Sequence, residues 1–167
     1  QLFEEKQCGI ERFDAIFHNC CEAAKEGYFT FSGKDEEVCL FVVGGLPYAS
    51  GRVEKGEGLL FLDVKEFFDT YSRISTGNLT FYKVEKKLLL SILIYFKKRP
   101  SQKFTANMVD MEKVLKDIEV KGADSLIVIR CGEKISFSMC LKGKPSFNYF
   151  PEGVYAKEKS REGQCLC

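Results

Sequence analysis

Tryptophan is absent from the chain, and histidine occurs once, at His18. Chemistry of the Ser-His-Asp or Cys-His kind would therefore rest on that one side chain. His18 falls between Phe17 and Asn19, off the apolar stripe of its helix, which is the place of an ordinary exposed helix residue. No apolar run reaches the roughly 18 residues that a spanning helix needs. The longest candidate, residues 88–96, is interrupted by Ser91. There is no G-x-x-x-x-G-K-[ST], no H-E-x-x-H and no G-x-S-x-G, so the sequence signals for nucleotide, zinc-protease and nucleophile-elbow chemistry are missing. An excess of one charge is missing as well. Lys plus Arg number 25 against 24 for Asp plus Glu, and a net charge of +1 lacks the basic footprint of a nucleic-acid binder.

What is present is an ordinary globular composition. Apolar residues make up 45% of 167, and 15 Phe supply bulky core volume without polar atoms. That length predicts one compact domain, or two small ones closely packed. The chain opens on Gln1 rather than Met, so a fragment of a longer protein is expected. Eight cysteines stand at Cys8, Cys20, Cys21, Cys39, Cys131, Cys140, Cys165 and Cys167. Most sit within periodic apolar patterns, which predicts reduced, buried thiols in a cytoplasmic protein rather than a disulfide framework.

Hydrophobic periodicity lays out the elements. Ile10, Phe13, Ile16, Phe17, Cys20, Cys21 and Ala24 mark one face of a helix over residues 10–25, with Glu26-Gly27 as its stop. Strands are predicted at 28–32, 37–43 and 46–50, and Gly44-Gly45 permits a tight reversal between the last two. Pro47 has no N–H to donate, which places that third strand at a sheet edge. A loop at 56–58 leads to Asp63 and Glu66, spaced as a capping box, and then a helix with Val64, Phe67, Phe68, Tyr71 and Ile74 inward. Thr76-Gly77-Asn78 breaks the chain before a helix over 84–98 that is apolar on most sides, as a buried central helix would be. A helix over 110–120 follows, with Met111, Val114, Leu115 and Ile118 inward. Strands at 125–130, 134–141 and 145–150 complete the pattern, turning at 131–133 and 142–143.

The two ends match at an offset of 98. Phe13 meets Met111, Ile16 meets Val114, Phe29 meets Ile127, Gly45 meets Gly143 and Pro47 meets Pro145. The expected fold class is therefore α+β, with two helix-plus-antiparallel-β-meander units, read as an internal duplication, around the central helix. The units would occupy residues 1–55 and 106–156, flanking a helical segment at 56–105 and followed by a loosely ordered tail at 157–167.

The stretch Gly27-Tyr28-Phe29-Thr30-Phe31, followed by Leu40-Phe41-Val42-Val43-Gly44-Gly45-Leu46-Pro47-Tyr48-Ala49, resembles the core of PATAN-type bacterial signalling domains. The resemblance covers about 40 residues per unit, and residues 125–150 look like a more divergent copy. It implies a non-catalytic regulatory module that binds protein partners.

Candidate sites are few. Gly44, Gly45, Pro47 and Tyr48 form the most distinctive surface-prone feature, either a partner contact or simply a hairpin that needs positive φ. Lys97, Lys98 and Arg99, with Lys103 nearby, form the main basic cluster, either a phosphate site or a solvated helix end suited to the helix dipole. Cys20-Cys21 lacks the C-x-x-C spacing of zinc ligands and fits one apolar helix face. Cys165-Leu166-Cys167 resembles a dual-cysteine prenylation ending, but an ordinary tail is favoured. The composite expectation is a protein-interaction module of a bacterial signalling system, with no catalytic residue, metal or cofactor. It has protein partners, no nucleic acid and no membrane span, and a homodimer is left open. A small-ligand sensor and a thiol-dependent redox protein are the alternatives.

Overall fold

The computed structural model describes residues 3–8, 12–34, 36–54, 58–73, 77–132 and 134–151. Two compact units divide the chain, Gln1–Leu89 and Leu90–Cys167. The fold is α+β with two antiparallel sheets.

The first unit carries β1 (Phe3–Cys8), α1 (Phe13–Ala23), β2 (Gly27–Ser32), β3 (Glu37–Val43), β4 (Leu46–Glu54), β5 (Gly58–Leu62), α2 (Val64–Arg73) and β6 (Gly77–Lys83). Its six strands lie in the order β1-β6-β2-β3-β4-β5. In β2, Phe29 and Phe31 face inward as expected of a period-two strand. Register then sets Phe29 beside Leu40 and Phe81, and Phe31 beside Val38 and Leu79, so six strand side chains share one face. Phe13, Ile16 and Cys20 of α1 and Phe67 and Tyr71 of α2 pack on that face to make the core. Phe13 is its hub, with five rings within 6 Å: Phe17, Phe29, Phe67, Phe68 and Tyr71. The other face carries a row of rings from Tyr82 through Tyr28 and Phe41 to Phe61, spaced 5.0, 5.9 and 5.8 Å.

The Asp63/Glu66 capping box forms as predicted. Asp63 Oδ1 accepts from Lys65 N at 3.0 Å, and Asp63 N donates to Glu66 Oε2 at 2.9 Å. The buried Ser50 hydroxyl donates to the Asp63 carbonyl and fixes where α2 leaves the sheet.

The second unit holds most of α3 (Lys86–Lys97), a 3₁₀ turn at Ala106–Met108, α4 (Met111–Lys121) and the meander β7 (Ser125–Cys131), β8 (Lys134–Leu141) and β9 (Lys144–Tyr149). Tyr95 of α3 meets Phe137 of β8 edge-on at 6.0 Å.

The helix-plus-meander backbone recurs at the offset of 98. Gly27 pairs with Val42 as Ser125 pairs with Cys140, and Phe29 with Leu40 as Ile127 with Ser138. A bulge follows Phe41 and another follows Met139, leaving Val42 opposite Pro47 and Cys140 opposite Pro145. Gly45 N donates to Lys25 O at 2.8 Å, and Gly143 N to Ala123 O at 3.0 Å. The side chains differ where α2 lies against β3 and β4 in the first unit. Val38 and Leu40 there correspond to Ser136 and Ser138, and Ser138 Oγ donates to Asn148 Oδ1 at 2.7 Å.

Several expectations are corrected. Pro47 does not make β4 as a whole an edge strand, since β4 runs to Glu54 between β3 and β5; β5 pairs only with Ser50 to Glu54, so Pro47 lies on a stretch paired with β3 alone. Gly27 does not stop α1, which ends at Ala23 with Ala24 extended. Gly27 instead opens β2, where a Cβ would strike the Tyr82 carbonyl and the Phe81 ring. β1, β5 and β6 lie in stretches not read as strands. The helix at 84–98 is apolar on most sides but not buried on all of them: Leu89, Ser91 and Leu93 are buried, while Ile94 and Phe96 are each 40% exposed. No side chain of α4 is fully buried, and Leu115, expected inward, is 41% exposed. α4 relies on its ends. Asp110 Oδ1 accepts from Glu112 N and Lys113 N at 3.1 and 3.3 Å, and Gly122 closes the helix at φ 59°. Ile10, Ile74, Gly56, Glu133, Cys165, Cys167 and the predicted tail lie outside the described residues.

Candidate functional site

The β3–β4 hairpin end gathers Gly44, Gly45, Pro47 and Tyr48, the first candidate cluster. Gly44 and Gly45 have φ of 64° and 79°, the pair of positive values that a two-residue type I′ turn demands. A Cβ at either would meet nothing within 4 Å, so glycine is favoured by backbone conformation and not by space. Gly45 N anchors the turn to Lys25 O, just past α1. Pro47 sits opposite Val42, and Tyr48 is the extra residue of the bulge before Ala49 rejoins the register opposite Phe41. Bulges of this kind re-aim a side chain and raise the local twist. The partners of β5 on β4 run from Glu54 to Ser50, so this end of the hairpin projects past the end of β5.

The outcome is an anchored hairpin tip bearing Leu46 and Tyr48 in water. Leu46 is 69% exposed and Tyr48 53%. Leu46 lies inside the surface-prone stretch 44–48 read from the sequence, although it is not named there as a site residue.

The second unit supplies an internal comparison. Its β8–β9 hairpin turns through Lys142 (φ 51°) and Gly143 (φ 77°), and Pro145 again stands at the bulge. Where the first hairpin has Leu46 and Tyr48, the second has Lys144 and Ser146. The same backbone therefore forms with polar residues at both places. Gly45 and Pro47 belong to the hairpin architecture, while Leu46 and Tyr48 do not.

Lys97, Lys98 and Arg99 lie at the end of α3 and just beyond it, all three exposed, within the second unit. Gly44, Gly45, Pro47 and Tyr48 lie within the first.

The thiols are subdued. Cys20, Cys39 and Cys140 are buried, Cys21 is half-buried and Cys131 is exposed, and all five are free. Burial pushes the Cys39 thiol up to about 12, reinforced by the Glu37 carboxylate and opposed by the Gly51 backbone. Burial, then the neighbouring Cys20, pushes Cys21 up to about 11, and burial raises Cys20 as well. Among the described residues no group of three or more His, Cys, Asp or Glu is arranged to hold a metal ion. A hollow of about 290 Å³ in the first unit is lined by Arg52, Glu66, Asp69, Thr70 and Arg73. Its two cations face two carboxylates, and Arg73 is already paired with Glu36 at 2.8 Å. His18 is exposed on α1, as its place off the apolar stripe predicts.

No protein family, characterised protein or solved structure matches the chain in sequence or fold comparison.

Proposed function

We propose that the chain is a non-catalytic interaction module of a bacterial signalling system and that the β3–β4 hairpin end of its first unit contacts a protein partner. One observation carries the reading: the same hairpin backbone is built twice, and on the strand leaving the turn one copy exposes Leu46 and Tyr48, while the other exposes only Leu141, on the strand entering it. Leu46 and Tyr48 are 69% and 53% exposed, whereas Lys144 and Ser146 hold the equivalent places in the other copy. Both apolar side chains of the first copy are more than half exposed and so within reach of a partner. Tyr is among the residues that dominate binding energy at protein interfaces, and an anchored tip loses little freedom on binding. The recurrent register supports internal duplication as the origin of the two copies. The resemblance of residues 27–49 to PATAN-type domains agrees in class. Burial disfavours thiolate chemistry at Cys20, Cys21 and Cys39.

The test is quantitative affinity purification from the native host with the wild type, a Leu46→Ser/Tyr48→Ser double variant and a Lys144→Ala/Ser146→Ala control. Loss of an interface Tyr costs about 2 kcal/mol or more, so a true partner falls by at least about 30-fold with the double variant and is kept by the control. Identical protein sets on all three baits refute the proposal.

A further inference from the structure

Residues 90–109 contain four cations, Lys97, Lys98, Arg99 and Lys103, and neither Asp nor Glu. Lys97 ends α3, and the rest follow in irregular chain before the 3₁₀ turn Ala106–Met108. All four are exposed. Among the described residues no acidic group pairs with Lys98, Arg99 or Lys103.

Apolar side chains stand among these charges. Ile94 and Phe96 are each 40% exposed, Phe104 63% and Met108 81%. Ile94, Lys97 and Lys98 are spaced i, i+3 and i+4, so a greasy group and two cations share one side of the last turn of α3. Cations at a helix carboxyl end are ordinary by themselves. That reading gives no account of Phe104 and Met108, the two most exposed large apolar groups of the segment, directly beside them.

We propose that residues 94–108 dock on an anionic lipid surface, with the four cations over the headgroups and Phe104 and Met108 entering the acyl boundary. Charge complementarity sets the partner's sign, and the apolar groups set its class. Phe96 and Phe104 have faces on which a base could stack, but Met108, the most exposed apolar group here, and Ile94 have none, and all four gain from transfer into hydrocarbon. Stable peripheral binding takes two signals, and a basic cluster beside insertable apolar groups supplies both. Among the described residues no helix is long and apolar enough to cross a membrane, so this contact lies on the surface. The proposal is independent of the hairpin end, which lies in the other unit.

The test is co-sedimentation of the full chain with phosphatidylcholine vesicles and with vesicles carrying about one-third phosphatidylserine, over a range of salt. Partition onto the anionic vesicles is expected to be at least about tenfold higher and to fall with salt. Lys98→Ala, Arg99→Ala or Lys103→Ala each weakens it about fivefold, and Lys98→Glu/Arg99→Glu/Lys103→Glu removes it. Phe104→Ser/Met108→Ser lowers partition without changing its salt dependence. Far-UV circular dichroism checks that these exposed substitutions leave the fold intact. Equal partition onto both vesicle types, or unchanged partition of the triple variant, overturns the proposal. Tight binding of a single-stranded oligonucleotide, lost on the same charge reversals while vesicles stay unbound, also overturns it and reassigns the cluster to nucleic acid.

Discussion

Replacing Phe13 by alanine is the sharpest test of how the first unit is held together. Phe13 is 4% exposed, and its ring centroid lies 5.0 Å from Tyr71, 5.5 Å from Phe68, 5.6 Å from Phe29 and 5.8 Å from both Phe17 and Phe67. Truncating a buried Phe costs about 3–5 kcal/mol in lost transfer free energy and residual cavity. Five ring neighbours place this site near the upper end, because each aromatic pair adds about 0.5–1.5 kcal/mol beyond its area, although the pairs share one ring and do not sum. A loss of about 4 kcal/mol is therefore expected, against a total stability of about 5–15 kcal/mol for a typical domain. Phe13→Leu keeps most of the volume and should lose about 1.5 kcal/mol. Hydrogen exchange read by mass spectrometry on peptides from β2 and β6 measures this locally. Four kcal/mol corresponds to roughly a thousandfold faster exchange in strands that open only with the unit. An alanine variant that exchanges within fivefold of wild type would refute the hub, since α1 would then be docked by something other than this ring.

Other expectations follow from the same geometry. Asp110→Ala removes the only side-chain cap seen at either end of α4 and should cost about 1 kcal/mol in urea denaturation, a sizeable loss for a helix with no fully buried residue. Gly45→Ala forces a side chain to φ 79° and should cost about 1–2 kcal/mol, visible as a lower melting temperature, whereas Tyr48→Ser on the same hairpin should change it little. The Cys39 thiol titrates near 9 when unfolded and at about 12 when folded, so the folded state holds its proton more tightly. Stability should therefore fall as pH rises above 9, and Cys39→Ala should flatten that fall in urea titrations at pH 8 to 10.5.

The sequence was most readable where one period ran without interruption. α1 and α2 each present an apolar stripe at helical spacing, and β3 and β8 start and stop where their patterns do. The offset of 98 was legible because Gly45/Gly143 and Pro47/Pro145 are fixed by the turn and the bulge. β6 was missed because Gly77-Asn78 reads as a break. The alternation of Leu79 and Phe81 with Thr80 and Tyr82 becomes decisive only with β1 and β2 on either side. β5 was missed because Leu59 to Leu62 is a short unbroken apolar run, which periodicity cannot assign. The burial of α3 was overestimated because composition gives no direction: Ile94 and Phe96 are as apolar as Leu89 but lie on the open side. At the candidate site, glycine and proline signalled the turn. The bulge that singles out Tyr48 depends on strand pairing, which the local sequence does not encode.

The central claim is that one of two matching hairpins has become a contact surface. It is tested most directly by placing a photo-crosslinking phenylalanine analogue at position 48, or at its counterpart 146, and irradiating cells of the native host. The account predicts a discrete protein adduct from position 48 that disappears when Leu46 is also changed to Ser, and none from position 146. Adducts of equal yield from both positions, or no discrete adduct from position 48, would contradict it.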